Sequence, residues 1–369
     1  AADGTDAYMP STEAGITWIE RSNPKNYDLN GIAWSGNVFC AVGDAAPMAM
    51  TWAERANPAN VTLNAVAWSG ALLCAVGDVS GDGYIVTSPD GVIWTERGSG
   101  TSGAAPFKAV AWSASLGKFC AVRGDLLTAA VYTSDDGITW VDAGIVATLY
   151  GVAWSGALFC AVGHGTATPS TPAYILRSSD GVTWTGGQLS NGAQAASLRA
   201  VVWSPALGLF VAVGDPLGTQ AHLITSPDAT TWTQRTNPKN IMLNGVVWSA
   251  EKSLFVAVGE ADGTGAYIIT SPDGVMWTVR TNPKNFALNS VIWTGKQFLA
   301  CGAADGTDAY IITSLDGVTW TEVANTKNFA LNGATWDGTR YVLVGAADGT
   351  DAYIITSTDD PDAYIITSF

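Results

Sequence analysis

Tryptophan falls at two fixed positions of a repeat that runs through almost the whole chain. Trp34, Trp68, Trp112, Trp154, Trp203, Trp248, Trp293 and Trp336 each end an apolar run of the type Gly-Val-Val-Trp. Trp18, Trp52, Trp94, Trp140, Trp184, Trp232, Trp277 and Trp320 each end a turn of the type Asp-Gly-Val-Thr-Trp. All 16 Trp are used in this way, two per repeat. From Trp34 to Trp336 the mean interval is about 43 residues, a period shared by propeller blades and helical solenoids.

Composition inside one repeat decides between them. Residues 244–248 form a short apolar run, and residues 253–258 (Ser-Leu-Phe-Val-Ala-Val) form a second that ends at Gly259. A loop over 260–265 leads to Ala-Tyr-Ile-Ile-Thr at 266–270, and Ser-Pro-Asp-Gly at 271–274 turns the chain into 275–280. Short runs rich in β-branched and aromatic residues, bounded by Gly, Pro, Asn or Asp, read as strands. No segment sustains apolar spacing at i, i+3, i+4 and i+7, so helical repeats are excluded. Four antiparallel strands per repeat predict an all-β fold, a β-propeller.

The turn before each second Trp has a mechanism. Pro presets the first central position of a type I turn, Asp accepts nearby backbone N–H groups, and Gly takes the left-handed conformation that follows. Variants occur at 88–91, 134–137, 179–181, 226–229 and 314–317. The pattern Ser-x-Asp-Gly-x-x-Trp resembles the Asp-box of sialidase-like (bacterial neuraminidase repeat) propellers, one residue shorter than the common form. With Phe-Val-Ala-Val-Gly before it, the repeat looks like those of bacterial surface and phage-associated propellers. The resemblance implies a propeller over nearly the whole chain, with the box Asp at a structural turn away from any chemistry.

Counting repeats predicts an eight-bladed β-propeller of four-stranded antiparallel blades. The chain opens with a turn-plus-Trp strand at 16–21, and its last repeat lacks one, so the N-terminal strand is expected to close the last blade. A single domain over 1–369 follows: 1–21 as the closing strand segment, 22–357 as repeats and 358–369 as a surplus C-terminal strand. The first repeat passes from Val42 to Trp52 without a Tyr-Ile-Ile-Thr run, while Asp-Ala-Tyr-Ile-Ile-Thr-Ser recurs at 308, 351 and 362. Residues 364–369 are therefore expected to fill the gap in the first blade.

Charge narrows the function classes. The formal net charge is −15, from 17 Lys plus Arg against 32 Asp plus Glu, which leaves few cations to replace counterions on a phosphate backbone. Nucleic acid is excluded as a partner. No apolar stretch is long enough for a spanning helix, so membrane insertion is not expected. No Met, basic region or apolar h-region opens the chain, which reads as processed or as a fragment. Cys40, Cys74, Cys120 and Cys160 share one repeat position, held by Val211 and Val256 elsewhere, and Cys301 replaces a nearby Val. They read as small buried hydrophobes too far apart for disulfides. No Cys-x-x-Cys or His-x-x-x-His spacing exists, so no structural zinc site is expected. His164 and His222 are isolated.

A sialidase, the activity that the resemblance raises, needs three clustered Arg, a Tyr–Glu pair and an Asp acid/base. Arg21, Arg55, Arg97, Arg235 and Arg280 all lie three residues after a repeat Trp, spread round the ring on outer strands. Arg123, Arg177, Arg199 and Arg340 remain, in different strand contexts, and no catalytic residue is assigned. The expectation is binding rather than catalysis.

Binding residues favour loops on a rigid scaffold. The Asp-Gly-Thr-Asp loops contribute Asp305, Thr307, Asp308, Asp348 and Asp351, and the Asn-Pro-Lys-Asn loops contribute Asn282, Asn285, Phe286, Asn237, Asn240, Asn23 and Tyr27. Carboxylates, amides and an aromatic ring suit sugar hydroxyls and a pyranose face, so these twelve are the candidate ligand-binding residues. The alternative is that Asn-Pro and Asp-Gly only make turns. Asp305 with Asp308, or Asp348 with Asp351, could bind Ca²⁺, although they lack the ligand density of a dedicated loop; no other cofactor is expected. Core strands stay constant while the loops at 98–108, 143–150, 163–174 and 186–199 vary. The reading is a lectin-like recognition module of a bacterial surface or virion. Its expected partners are a glycan or cell-surface receptor and other surface or virion proteins. A sialidase-like glycoside hydrolase and a structural or engineered repeat scaffold are the alternatives.

Overall fold

A computed structural model describes residues 50–80, 82–98, 105–164, 173–189, 197–217, 220–325, 327–349 and 352–357. It also describes the strands Met9–Glu13, Thr17–Arg21, Leu29–Trp34, Phe39–Gly43 and Tyr364–Thr367; for these, and for residues 125–129, 217, 220–221 and 352, the backbone alone. Where the repeat count drew one domain over 1–369, the chain divides into two compact units, Thr51–Ser357 and a second made of Ala1–Met50 with Thr358–Phe369.

Every described element of the larger unit is a strand or turn, and the repeats are four-stranded. In the sixth repeat Leu243–Ser249, Leu254–Ala261, Ala266–Ser271 and Thr278–Arg280 pair antiparallel in chain order. The second strand is buried on both faces, which is why Phe-Val-Ala-Val reads as a continuous apolar run. The first strand of each repeat packs against the first strands of its two neighbours, from the second repeat to the eighth and back to the second. Core clusters span the joins: Val342, Val344 and Ile354 of the eighth repeat pack with Leu63, Val66 and Leu73 of the second. In the third and fourth repeats a long second strand, Lys118–Ala129, also pairs with Val146–Trp154, joining two blades into one sheet.

The Trp positions have one explanation. A Phe of the second strand sits between the two Trp of its own repeat. Phe255, for example, has its ring centroid 4.5 Å from Trp248 and 6.1 Å from Trp277. Phe119, Phe159, Phe210 and Phe298 repeat the arrangement. Such tilted aromatic pairs add about 0.5–1.5 kcal/mol each beyond area burial.

The Asp-box-like turns form as the residues predict. Ser271 Oγ donates to Asp273 Oδ1 and accepts from the N–H of Gly274, while Asp273 Oδ1 accepts from Val275 and Met276 N–H at 2.8 and 2.9 Å. Gly274 has φ +72°, and Trp277 Nε1 donates back to its carbonyl. Ala229 takes the same left-handed conformation without being glycine.

Ring closure differs from expectation in strand and in count. The fourth strand of the eighth repeat is Ala53–Glu54, paired with Ile355 and Thr356, whereas Thr17–Arg21 pairs with Met9–Glu13. Arg55 N–H donates to Ile354 O at 2.9 Å, and Arg55 Nε donates to Thr356 Oγ1 at 2.8 Å. Trp52 completes the aromatic triple by lying 6.3 Å from Tyr341, itself 4.6 Å from Trp336. The larger unit thus closes with seven four-stranded blades among the described residues, rather than eight. The reason begins in the sequence: no Tyr-Ile-Ile-Thr run lies between Val42 and Trp52, and the third strand of the eighth repeat offers the edge with which the Trp52 strand pairs. The surplus C-terminal strand does pair within the smaller unit. Tyr364–Thr367 lies on Phe39–Gly43 with Tyr364 opposite Gly43 and Thr367 opposite Cys40, the register of Tyr84 on Gly77 and Thr87 on Cys74.

Two tests follow from these contacts. Arg55→Ala should lower the stability of the ring by about 1 kcal/mol in denaturant unfolding, and Arg21→Ala should leave that transition unchanged; the reverse ranking would restore the N-terminal closure. The box carboxylates define the second. The backbone N–H groups of Thr139 and Ile138 hold the Asp136 carboxyl down at about 2, and those of Thr183 and Val182 do the same for Asp180. A carboxyl whose folded value lies below its ordinary 3.8 contributes stability above that value and loses it as pH falls toward 2. Stability should therefore fall between pH 4 and 2, and Asp136→Asn should flatten that slope in acid-dependent unfolding.

Candidate functional site

Every first strand of the ring carries a β-bulge at one place. The ladder skips the residue after the buried Leu or Phe: Asn64, Lys108, Tyr150, Arg199, Asn244, Asn289 and Asn332. A bulge frees one residue from its own sheet and re-aims its side chain. The opposing strand must come very close, which explains the Gly of Ala-Val-Gly. A Cβ on Gly259 would lie 1.9 Å from Met242 O, and one on Gly302 would lie 2.0 Å from Ala287 O.

In four repeats the freed residue is Asn, and it ties its repeat to the next. Asn64 Nδ2 donates to Phe107 O at 2.7 Å, Asn244 to Leu288 O at 3.1 Å and Asn289 to Leu331 O at 2.9 Å. Asn332 donates to Leu63 O at 3.0 Å, across the closure. Three consecutive repeats replace this Asn with Lys108, Tyr150 and Arg199. The Lys108 stem and the Tyr150 ring meet over Gly124, whose Cβ would lie 3.0 Å from Lys108 Cγ and 3.2 Å from Tyr150 Cε1. Arg199 lies over the Tyr150 ring at 5.0 Å and bonds Asp215 at 2.6 Å. Desolvation lowers the Lys108 ammonium from its ordinary value, opposed by the Asp78 charge and assisted by Arg199. Burial raises the Tyr150 phenol.

The third repeat departs further. Arg123 stands where other repeats have the bulge-facing Gly, and Ala130 where five of them have Tyr and the fifth repeat has His222, so bulk has crossed from one strand to its neighbour. Its guanidinium is fully buried between the rings of Phe107 and Tyr132, 4.4 and 4.6 Å from their centroids.

The loops singled out from sequence do converge, repeat on repeat, and they hold each other. Asp305 Oδ1 accepts from Thr307 N–H, Thr307 Oγ1 and Asp308 N–H, while its Oδ2 lies 2.6 Å from Lys284 Nζ. Asn282 Nδ2 donates to Ala266 O at 2.6 Å, and its Oδ1 accepts from Ala266 N–H and the Tyr310 hydroxyl. Asn285 Oδ1 accepts from Gly263 N–H at 3.1 Å, Asn237 from the Tyr267 hydroxyl, and Asp308 Oδ2 from Asn325 N–H at 2.9 Å. Asp348 pairs with Lys327 at 2.7 Å, and the Phe286 ring packs 6.1 Å from Tyr310. Asn240 occupies the loop position of Asn285 one repeat earlier. Asn23, Tyr27 and Asp351 lie outside the described residues, as do 99–104, 165–172 and 190–196 of the variable loops. Both carboxylate oxygens of Asp305, both amide atoms of Asn282 and the Oδ1 of Asn285 are thus engaged within their loop or across to a neighbouring one.

The candidate calcium ligands meet an ammonium. Asp305, Asp308 and Glu322 bring carboxylate oxygens within 4.8 Å of one another, and Lys284 Nζ bonds Asp305 and Glu322. The Lys284 ammonium, then the Thr307 hydroxyl, hold the Asp305 carboxyl well below the usual range, and both carboxylates raise Lys284.

Other candidates resolve simply. Arg55, Arg97, Arg235 and Arg280 each donate through Nε to a Thr of the neighbouring third strand, so these outer-strand cations are cross-strand clamps. Cys74, Cys120, Cys160 and Cys301 are free, buried thiols, and burial pushes all four up from their ordinary value.

In the sequence Arg199 reads only as one of four arginines in different strand contexts and His164 as isolated, and neither Lys108 nor Tyr150 stands out in its own segment. The available signal was a column: the residue after Leu is Asn in five of the eight repeats and changes in three adjacent ones.

No family model matches the chain, nor does any curated protein. Solved structures do. A chain of the Mitotic Checkpoint Complex superposes with a TM-score of 0.59 at 12% identity, covering 95% of this chain and 99% of that one. The β-propeller domain of Cps50 (Swd1) from Myceliophteria thermophila gives 0.58 at 11% identity, with 84% and 100% covered. The extracellular domain of BT4673, a putative one component system of B. thetaiotaomicron, gives 0.58 at 12% identity, with 84% of this chain and 40% of that chain covered. At such identities the likeness is one of fold, and with the closed ring of antiparallel sheets it defines a β-propeller.

Removing one inter-repeat tie should be measurable. Asn289→Ala should cost about 1 kcal/mol in denaturant unfolding, and Asn289→Asp, which keeps size but loses the donor, should cost at least as much.

Proposed function

We propose that this propeller is a non-enzymatic recognition module that binds a glycan, presented on a bacterial or virion surface. The observation that carries the reading is local. Three adjacent repeats give up the inter-repeat Asn for Lys108, Tyr150 and Arg199, while the first strand keeps its bulge and its register on the second. Departures from a repeat's own rules concentrate at functional sites, and a bulge beside them is a common device for aiming a side chain. The binding arc is therefore placed on repeats three to five, at the bulges, rather than at the bracketed Asp-Gly-Thr and Asn-Pro-Lys-Asn loops.

Binding is favoured over hydrolysis because four of the outer-strand arginines are spent on threonine clamps. The surface or phage-associated setting rests on the Asp-box-like repeat alone. The test is binding of the full chain to a broad glycan array, with competition by the free sugar. At least one glycan should bind and be displaced; a folded protein with no signal above background would remove the lectin reading.

A further inference from the structure

We propose that the glycan is acidic: a hexuronate-bearing saccharide whose carboxylate is held at Lys108, between Tyr150 and the Asp78 edge of the ring. This deepens the binding reading above and rests on it. Charge along the bulge tier supports it. The residues leaving the second strands, in repeat order, are Asp78, Gly124, His164, Asp215, Glu260, Ala303 and Ala346. Set beside the bulge residues, the third and fourth repeats bring Lys108, Tyr150 and His164 with no carboxylate of their own. Arg199 is matched by Asp215.

Cations are scarce in this chain, and the described lysines of the Asn-Lys-Asn loops are paired. Lys239 binds Asp262, Lys284 binds Asp305 and Glu322, and Lys327 binds Asp348 and Glu54. Lys108, by contrast, has no side-chain ion pair or hydrogen bond among the described residues. It is half-buried, on a stem fixed against Gly124, so little side-chain entropy remains to be lost on binding an anion. Desolvation already disfavours its charge, and an incoming carboxylate would restore it. A part-exposed Tyr beside that ammonium offers an apolar edge and a hydroxyl to the ring of the same sugar. A neutral glycan would use the aromatic group and leave the ammonium unmatched.

The experiment is calorimetric titration of the full chain with an α-1,4-linked oligogalacturonate, its neutral galactose counterpart and a poly-glutamate peptide, at low and moderate salt. The uronate should bind, weaken with added salt and exceed the neutral oligomer. Lys108→Asn, which installs the residue the repeat itself uses, should fold, melt no lower than the parent chain and weaken uronate binding about tenfold or more. Lys108→Arg should retain binding, and Lys252→Ala should leave it unchanged. Equal binding of neutral and acidic oligomers, or a Lys108→Asn variant that binds normally, overturns the acidic assignment while leaving glycan recognition standing. Poly-glutamate binding that depends on Lys108 without uronate binding overturns it in favour of an acidic peptide. Binding of no saccharide on either the array or in titration removes both readings together.

Discussion

The ring depends on a hydrogen bond that a regular strand could not make. A bulge after the buried Leu turns one side chain out of its ladder, and where that side chain is Asn, its amide donates to the first-strand carbonyl of the next repeat. The bond adds a directional link between first strands, beside the loop brackets, where apolar side chains fill space but do not fix register. Its cost is steric. The second strand must pass so close that only Gly fits opposite in six of the seven repeats, and the seventh needs the compensating exchange of Arg123 and Ala130. Leu-Asn and Val-Gly are therefore two halves of one device, set on neighbouring strands.

That device also explains how a stable scaffold can carry a variable site. The Trp–Phe–Trp stacks recur in five of the seven blades and the Asp-box turns in six, the three altered repeats among them, so a repeat can lose its tie and still fold. Three adjacent repeats use that margin. They exchange an amide donor for Lys108, Tyr150 and Arg199, at the same backbone position and without a change of register. Stability lost locally is offset by the ties that remain, and the freed positions gain charge and aromatic surface.

Much of the fold was legible because the repeat is local. Trp spacing, the Ser-x-Asp-Gly turn and the Tyr-Ile-Ile-Thr strand each report on a few consecutive residues, and each forms as those residues dictate. Closure was not legible. Thr17-Trp-Ile-Glu-Arg21 and Thr51-Trp-Ala-Glu-Arg55 carry nearly the same closing signature, and only the edge left open by the eighth repeat, some 300 residues away, selects the second. The loop residues were recognised as polar and grouped, but their partners are Lys284, Tyr310 and Ala266 on other strands or the next repeat. Spacing within one loop cannot show that its carboxylate is already taken. Lys108 and Tyr150 went unnoticed for the opposite reason: each is unremarkable in its own segment, and becomes informative only beside Asn at the same place in other repeats.

The account stands on the claim that the bulge residue holds the ring and has been given up where the ligand binds. Replacing Lys108, Tyr150 and Arg199 together by Asn completes the ring of ties, and thermal unfolding of that variant tests the claim most directly. A melting temperature several degrees above the parent chain, at about 1 kcal/mol per restored bond, is the predicted result. A lower melting temperature in a folded variant would show that these three side chains are themselves structural, and would contradict it.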